Sequence, residues 1–410
     1  MIYGVIGSNY GDEGKGLMTD YLASLKPHSL VIRHNGGAQS GHTVELDDKR
    51  FIFHELSSGS MRGADTYWAR TYMPDLYKLD EEIDSFLEIT NRSSLPFNIY
   101  ADPRTCITLI DDIFCNMLIE TLRGDSRHGS CGMGINEADI RIKAGFKVTF
   151  KDLFDYKTGL DIDSLYNRLL IIRQDYYYPH VEDILKSFNA DIASISSATR
   201  EYLDLLKSDD VLYNFCCTIL DNLKLVRLMD WDSSLVLKYE NAIFETGQGL
   251  LLDSECMESF PHVTASKTGI YNIDSLLNEI GLNLDEAVYV SRSYLTKHGA
   301  GPFEAEDLDL FFEDKTNLRN DWQGSIRFGR FSDLDELFYR VGADADSASW
   351  VKPKIALAIT HLNESNGCIL LRNEELTLSD AITRIKENSL IKAIYTSRSK
   401  FAREIEKIDL

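Results

Sequence analysis

The sequence predicts an α/β protein, a large and mainly parallel sheet flanked by helices. Three observations predict it. Short apolar runs of strand length alternate with longer stretches of helical spacing. Glycine clusters fall where those runs end, the place where an open α/β sheet binds its ligands. The first run opens into a glycine-rich turn with a lysine and then a helix, which is how a chain presents backbone N–H groups to a phosphate. The class is therefore a P-loop-like nucleotide-binding fold.

The elements follow in order. Ile2–Ile6 is a buried strand, and GSNYGDEGKG is the turn after it. Leu17, Met18, Tyr21 and Leu22 then keep helical spacing. The turn departs from the ordinary phosphate loop: six residues separate Gly7 from Gly14, and Gly16 follows Lys15 where a magnesium-binding Ser or Thr is expected. Strand Leu30–Arg33 leads into HNGGAQSGHT, and Asn98–Tyr100 is a further strand. Helical stretches occupy Ile107–Leu122, Ile162–Ile172 and Val211–Leu223. Residues from about 151 to 238 read as almost purely helical, a helical subdomain on the sheet. Strand Ala242–Glu245 leads into TGQGLLLD, and strand Ala287–Ser291 precedes KHGAGPFE. Helix Asp333–Val341 and strand Lys354–Thr360 complete the pattern. No boundary is sharp enough to divide residues 1–410, so a single domain is expected.

Composition bounds the partners. A net charge of −22 argues against nucleic acid, whose phosphates need a basic surface. It leaves room for a small phosphorylated ligand held by a local cluster of N–H groups and cations. The seven cysteines form no C-x-x-C pair and no framework spacing, which suits reduced thiols. With no leader-like segment and no run of membrane-spanning length, the expectation is a cytoplasmic protein with no membrane partner.

Taken singly, each motif has a bland alternative. GDEGKG can be a tight turn with a solvated lysine and helix-capping acids. His42 in Gly41-His42-Thr43 can be structural, and Gln248 between glycines can close a turn. Taken together and in this order, they resemble the adenylosuccinate synthetase family, which joins IMP to L-aspartate at the expense of GTP. The resemblance rests on GDEGKG, GG-x-x-x-GHT, HGSCGMGI, ETGQGLLLD, FPHVTASKTG and KHGAGPF, the last standing where the family has RVGAGPF.

The resemblance implies a fold of that type, Mg²⁺ as cofactor and a homodimer. It implies three small-molecule substrates: a 6-oxopurine nucleotide, a nucleoside triphosphate and L-aspartate. Asp12 falls on the aspartate that takes the purine N1 proton and helps hold Mg²⁺, with the Gly41 carbonyl completing the shell. His42 matches the general acid. Lys15, Gly14 and Gly16 match the phosphate cradle, and Thr43 belongs to the same nucleotide site. Gln248 matches the glutamine that holds the 6-oxyanion. Ser130, Cys131 and Thr264 fall where the family grips the 5′-phosphate, and Gln39 touches the same pocket. Arg141 corresponds to an arginine that crosses a two-fold interface to that phosphate.

Three departures bear on substrate choice. The family reads guanine with an aspartate in T-K-L-D, but here Thr360-His361-Leu362-Asn363 follows the strand; Asn363 both donates and accepts, which suits adenine. The S-T-G-P-D-R base cradle appears only as Thr396-Ser397-Arg398-Ser399. The arginine-rich amino-acid loop becomes Gly324-Ser325-Ile326-Arg327-Phe328-Gly329-Arg330, which leaves Arg327 and Arg330 to meet a carboxylate. Asn in the second loop becomes Gln39, and Thr in the phosphate loop becomes Cys131. The leading expectation is a ligase acting on IMP with GTP or ATP. The alternative is a paralogue acting on dGMP, or another 6-oxopurine nucleotide, with ATP. Viral relatives acting on dGMP typically lose the loop aspartate, and Asp12 is retained. A non-catalytic sensor has no need of Asp12, Lys15, His42 and Gln248 together, and the loop spacing disfavours a generic NTPase.

Overall fold

The computed structural model describes residues 1–159, 162–307, 309 and 326–410. Strands β1 (Ile2–Gly7) and β2 (Ser29–Arg33) are followed by a hairpin, β3 (His42–Leu46) with β4 (Lys49–Phe53). Next come β5 (Asp65–Trp68), β6 (Ile99–Ala101), β7 (Val226–Leu228), β8 (Asn241–Glu245) and β9 (Glu286–Arg292). Strands β10 (Tyr294–Lys297) and β11 (Arg327–Phe331) pair antiparallel. They precede β12 (Lys354–Thr360), the small pair β13 (Ile369–Leu371) and β14 (Glu374–Leu376), then β15 (Ile391–Thr396) and β16 (Glu406–Asp409).

Ten of these form one sheet in the order β16-β15-β12-β9-β1-β8-β2-β5-β6-β7. Every pair is parallel except β15 with β16. The six strands expected from the sequence are β1, β2, β6, β8, β9 and β12, each found within a residue or two of its expected bounds. A sheet covered on both faces needs apolar residues at odd and even positions alike. Ile2, Ile6, Leu30, Ile32, Phe244 and Tyr289 join one core, while Tyr3, Val5, Val31, Ile243 and Val288 join the other. Each such side chain contributes roughly 1.5–3 kcal/mol on burial. Gly4 lets a helix close on β1, since a Cβ there would lie 2.9 Å from Ile273 Cδ1.

The segment read as helical holds helices Phe150–Gly159, Ile162–Ile172, Tyr178–Ser187, Ser197–Lys207 and Asp209–Asn222. It also holds β7, an edge strand of three residues of which only Val226 is buried. Strand β15 escaped the sequence reading because exposed Lys392 interrupts its apolar run. Strand β5 escaped it because DTYW is short and opens on polar residues. Among the described residues, no helix is long and apolar enough to cross a membrane.

β1 sits between β8 and β9, with the chain continuing outward on both sides. The order of strands reverses there, and the loops after β1, β2, β8, β9 and β12 leave from the same carboxyl edge.

Candidate active site

The loop after β1 folds around one of its own acids. Glu13 is buried and accepts from the main-chain N–H groups of Asn9 and Gly11, both at 2.9 Å, and from Lys15 Nζ at 2.6 Å. The helix that follows, α1 (Lys15–Ser24), starts with no capping side chain and no acid in its first turn. Its first N–H groups therefore remain available to an anion. Gly16 stands where an ordinary phosphate loop has a hydroxyl. A Cβ there would lie 3.0 Å from His42 Cβ and 3.1 Å from both Ser58 Oγ and the Thr43 carbonyl. The missing Ser or Thr is thus a packing requirement, because α1 meets β3 at this point. Gly14, at φ 90°, takes a conformation a side chain disfavours.

His42 opens β3 and is buried, with Nδ1 2.8 Å from Glu245 Oε1 at the end of β8. Glu245 also accepts from the Ser58 hydroxyl and from the Ser58 N–H at 3.2 Å, and Arg33 Nη1 lies 3.8 Å away. Arg33 and Glu245 are register partners on neighbouring strands. Burial opposes the charge on Glu245, but His42, Arg33 and Ser58 outweigh it and hold the carboxyl at about 2. At His42 burial wins: with the positive charges of Arg33 and Lys15, it outweighs Glu245 and lowers the imidazole below its usual range. The ring therefore rests neutral, with the Glu245 carboxylate fixing the proton on Nδ1. Its Nε2 is buried without a hydrogen-bond partner among the described residues.

Asp12 lies in the left-handed region at φ 60°. Its main-chain carbonyl accepts from Arg292 Nε, and its Oδ2 lies 2.9 Å from His298 Nε2. The side chain is 28 % exposed, so the carboxylate borders the cleft. Burial opposes its charge, but the His298 hydrogen bond and the charges of His298, Arg292 and Lys15 hold the carboxyl well below the usual range. It is ionised throughout the physiological range.

The other loops close in around this pair. Asn35 Nδ2 donates to the Gly247 carbonyl at 3.0 Å, and its Oδ1 accepts from the Gly247 N–H at 2.8 Å, which ties the loop after β2 to the loop after β8. Gln248 is left-handed at φ 64°, and its carbonyl lies 2.7 Å from where a Cβ on Gly7 would stand. Gln39 accepts from the Gly37 N–H at 2.7 Å, Gly41 is exposed, and Thr43 is half-buried. Ser130 Oγ donates to Asn116 Oδ1 at 3.0 Å and accepts from the Gly132 N–H at 3.3 Å. Burial pushes the Cys131 thiol up to about 11, so it offers an S–H and no thiolate. The Thr264 N–H donates to the Leu252 carbonyl at 2.8 Å, which brings Thr264 to the loop after β8. The Ala300 N–H donates to the His128 carbonyl at 3.3 Å, joining the Ser130 loop to the segment after β10.

Two sets of arginines named from the sequence are already paired within this chain. Arg141 lies in the interior of its own chain. It is fully buried, donates to Asp112 at 2.9 to 3.2 Å, and spends its remaining N–H groups on the Phe146 and Ile107 carbonyls at 2.7 and 2.8 Å. Tyr177 completes the network at 2.6 Å from Asp112. A guanidinium enclosed this way satisfies a buried charge and is not free for a ligand. Arg141→Met is expected to destabilise the fold by about 3–5 kcal/mol, because Asp112 is left buried and unpaired. Chemical denaturation measures that loss, and KM for the nucleotides should not rise selectively. The arginines expected to meet an amino acid are paired as well. Arg327 donates to Glu306 at 2.9 Å and to the Gly301 carbonyl at 3.0 Å, and Arg330 pairs with Glu336. Both guanidiniums already hold carboxylates of this chain. Gly324 and Ser325 of the same loop lie outside the described residues.

Asn363 is exposed on the loop after β12, and the Leu362 N–H donates to the Ser397 carbonyl at 3.1 Å. The loops of Asn363 and Ser397 are therefore neighbours, while Ser397 Oγ is taken by the Ser399 carbonyl at 2.6 Å.

Arg33, Glu245, Arg292 and His298 carry no role in the sequence reading. For three of them a signal exists: Arg33, Glu245 and Arg292 are charged residues closing buried strands at the ligand edge of the sheet. Chemically, an ionised carboxylate and an oriented imidazole face the same phosphate-type loop, the ingredients of proton removal and proton return.

A sequence model of the family described as adenylosuccinate synthetase matches residues 4–324. An adenylosuccinate synthetase of Clostridium botulinum (strain Alaska E43 / Type E3) is 28 % identical over 313 residues, covering 74 % of this chain and 65 % of that protein. One from Thermoplasma volcanium is 27 % identical over 351 residues, covering 83 % and 72 %. The chain thus spans about two thirds of the clostridial relative's length. Among solved structures, a fully ligated adenylosuccinate synthetase from Plasmodium falciparum superposes with a TM-score of 0.60 at 20 % identity, covering 99 % of this chain and 86 % of that one. The succinoaminodeoxyadenylate synthetase (PurZ) of cyanophage S-2L, bound to dGMP and dATP as an energy donor, superposes at 0.58 with 15 % identity, covering 99 % and 94 %. These two share the fold. On the match over residues 4–324, this chain belongs to the adenylosuccinate synthetase family.

Proposed function

We propose that the protein is a ligase that joins an amino acid, L-aspartate in the family reaction, to C6 of a 6-oxopurine nucleotide. The observation that carries the reading is the ionised Asp12 carboxylate beside the start of α1, on the same loop that meets His42. Asp12 takes the proton from purine N1, which turns O6 into a nucleophile. O6 attacks the γ-phosphorus of the triphosphate as the bond to the β,γ-bridging oxygen breaks, giving a 6-phosphoryl nucleotide and a diphosphate. His42 takes up a proton from solvent at Nε2 as the charge of the triphosphate arrives beside it, and passes that proton toward the leaving oxygen. Gln248 holds the oxyanion. The amino group then displaces inorganic phosphate from C6.

Magnesium fits this donor set. A hard cation of this kind takes one or two carboxylates plus phosphate oxygens. With Glu13 committed to Lys15, Asp12 is the carboxylate left at the loop, and the Gly41 carbonyl is a second oxygen. Bound magnesium supplies charge neutralisation on the triphosphate. A homodimer belongs to the same reading, without a contribution from Arg141.

The purine is IMP in the leading version. The second version, dGMP with ATP, draws on Asn363, an exposed amide in the loop where a guanine reader is expected. Guanine N1–H and its 2-amino group are two donors, and an amide oxygen satisfies only one of them well. A donor that the bound base buries and leaves unsatisfied costs about 1–3 kcal/mol. ATP should therefore support turnover at least as well as GTP, and Asn363→Asp should shift preference toward GTP by roughly tenfold or more. The test is phosphate release over a grid of IMP, dGMP and GMP against ATP and GTP, with and without aspartate. Release that ignores both the purine and aspartate would refute the ligase reading. Turnover with GTP alone would remove the inference about the donor.

A further inference from the structure

Arg292, which closes β9, and His298, just past β10, both hold Asp12 in the loop after β1. On the main-chain side, buried Arg292 donates to the Asp12 carbonyl. On the side-chain side, His298 Nε2 sits 2.9 Å from Oδ2. The carboxylate has reason to need holding. Its residue is left-handed at φ 60°, and a side chain 28 % exposed has room to change rotamer. His298 is itself presented from a fixed turn. Lys297 Nζ donates to the Ala300 carbonyl at 2.7 Å, the Ala300 N–H donates to the His128 carbonyl at 3.3 Å, and Gly299 at φ 71° packs against the Gly129 and His128 carbonyls.

We propose that His298 is a positioning residue for the proton transfer: its N–H occupies Oδ2 of Asp12 and so leaves Oδ1, in a fixed direction, for the acidic N–H of the purine. The inference rests on the reading of Asp12 as proton acceptor. A valine at this place, as in RVGAGPF, has no polar hydrogen to offer, so the clamp is particular to KHGAGPF. A misplacement of about 1 Å at a reacting group can cost on the order of a hundredfold in rate.

The test compares His298→Val, His298→Asn and His298→Gln with Asp12→Asn in the full chain, reading kcat, KM for each substrate and thermal unfolding. The Asn and Gln variants are alike in polarity and differ in reach; only the longer amide can place an N–H on Oδ2. Val and Asn should lower kcat about tenfold to a hundredfold with KM for the nucleotides nearly unchanged, and Gln should recover most of the loss. Parental kcat in the Val or Asn variant overturns the proposal, and so does a Gln variant as impaired as Asn. Full activity in Asp12→Asn overturns instead the reading of Asp12 as the base, a result the His298 variants cannot mimic.

Discussion

Replacing Asp12 by asparagine is expected to abolish ligation while leaving the protein folded. The amide matches the carboxylate in size but cannot accept the N1 proton, and a purine lactam N–H does not ionise unaided at neutral pH. Loss of a general base commonly costs about 10²–10⁴-fold. In the proposed reaction the same group also faces the phosphates and any magnesium they bring, so a loss of at least ~10³-fold in kcat is expected. The fold should survive because Arg292 holds the Asp12 main-chain carbonyl, which the substitution leaves in place. Single-turnover formation of the phosphorylated nucleotide, followed beside thermal unfolding, separates the two effects. Activity within a few-fold of the parent would take the proton-acceptor role away from Asp12.

His42→Asn is expected to lower kcat about 10²–10³-fold while changing KM for the triphosphate little, because charge on the leaving oxygen develops only in the transition state. The surroundings make this specific. The neutral ring keeps its Nδ1 proton on Glu245, so Nε2 is the nitrogen able to pick up a proton and pass it on. Glu245 stays ionised even where the protein is strongly acidified, and it stabilises the imidazolium once that forms. Glu245→Gln should therefore fall in the same direction as His42→Asn, and combining the two should add little, as for groups that act together. A raised KM with unchanged kcat would make His42 a binding residue.

Much of the architecture was legible because parallel strands buried on both faces must be continuously apolar. β1, β8, β9 and β12 satisfy that rule and stand out. Strand β15 does not, since exposed Lys392 interrupts its apolar run, and β7 is too short to carry a pattern. The loops of the candidate site were legible as glycine clusters in a fixed order. What could not be read was which partner each charged group takes. Nothing local distinguishes Arg141, spent on a buried Asp112, from an arginine offered to a phosphate; the answer depends on a helix 29 residues away. Glu245 and His42 are 203 residues apart, one at the end of β8 and the other at the start of the β3–β4 hairpin. His298 is separated from Asp12 by most of the sheet in sequence and by one hydrogen bond in space.

Glu13 has a consequence for how nucleotide binding is driven. Its carboxylate occupies, from inside, the amides of Asn9 and Gly11 and the ammonium of Lys15, donors that an ordinary phosphate loop aims at its ligand. The protein carries its own anionic template, so the loop is already shaped before any triphosphate arrives. Ordering several residues on binding costs about 1–2 kcal/mol each in backbone entropy, and a self-templated loop spares the ligand that cost. Fast, nearly rigid docking should follow, with nucleotide association showing little of the heat-capacity change that marks a loop folding around its guest.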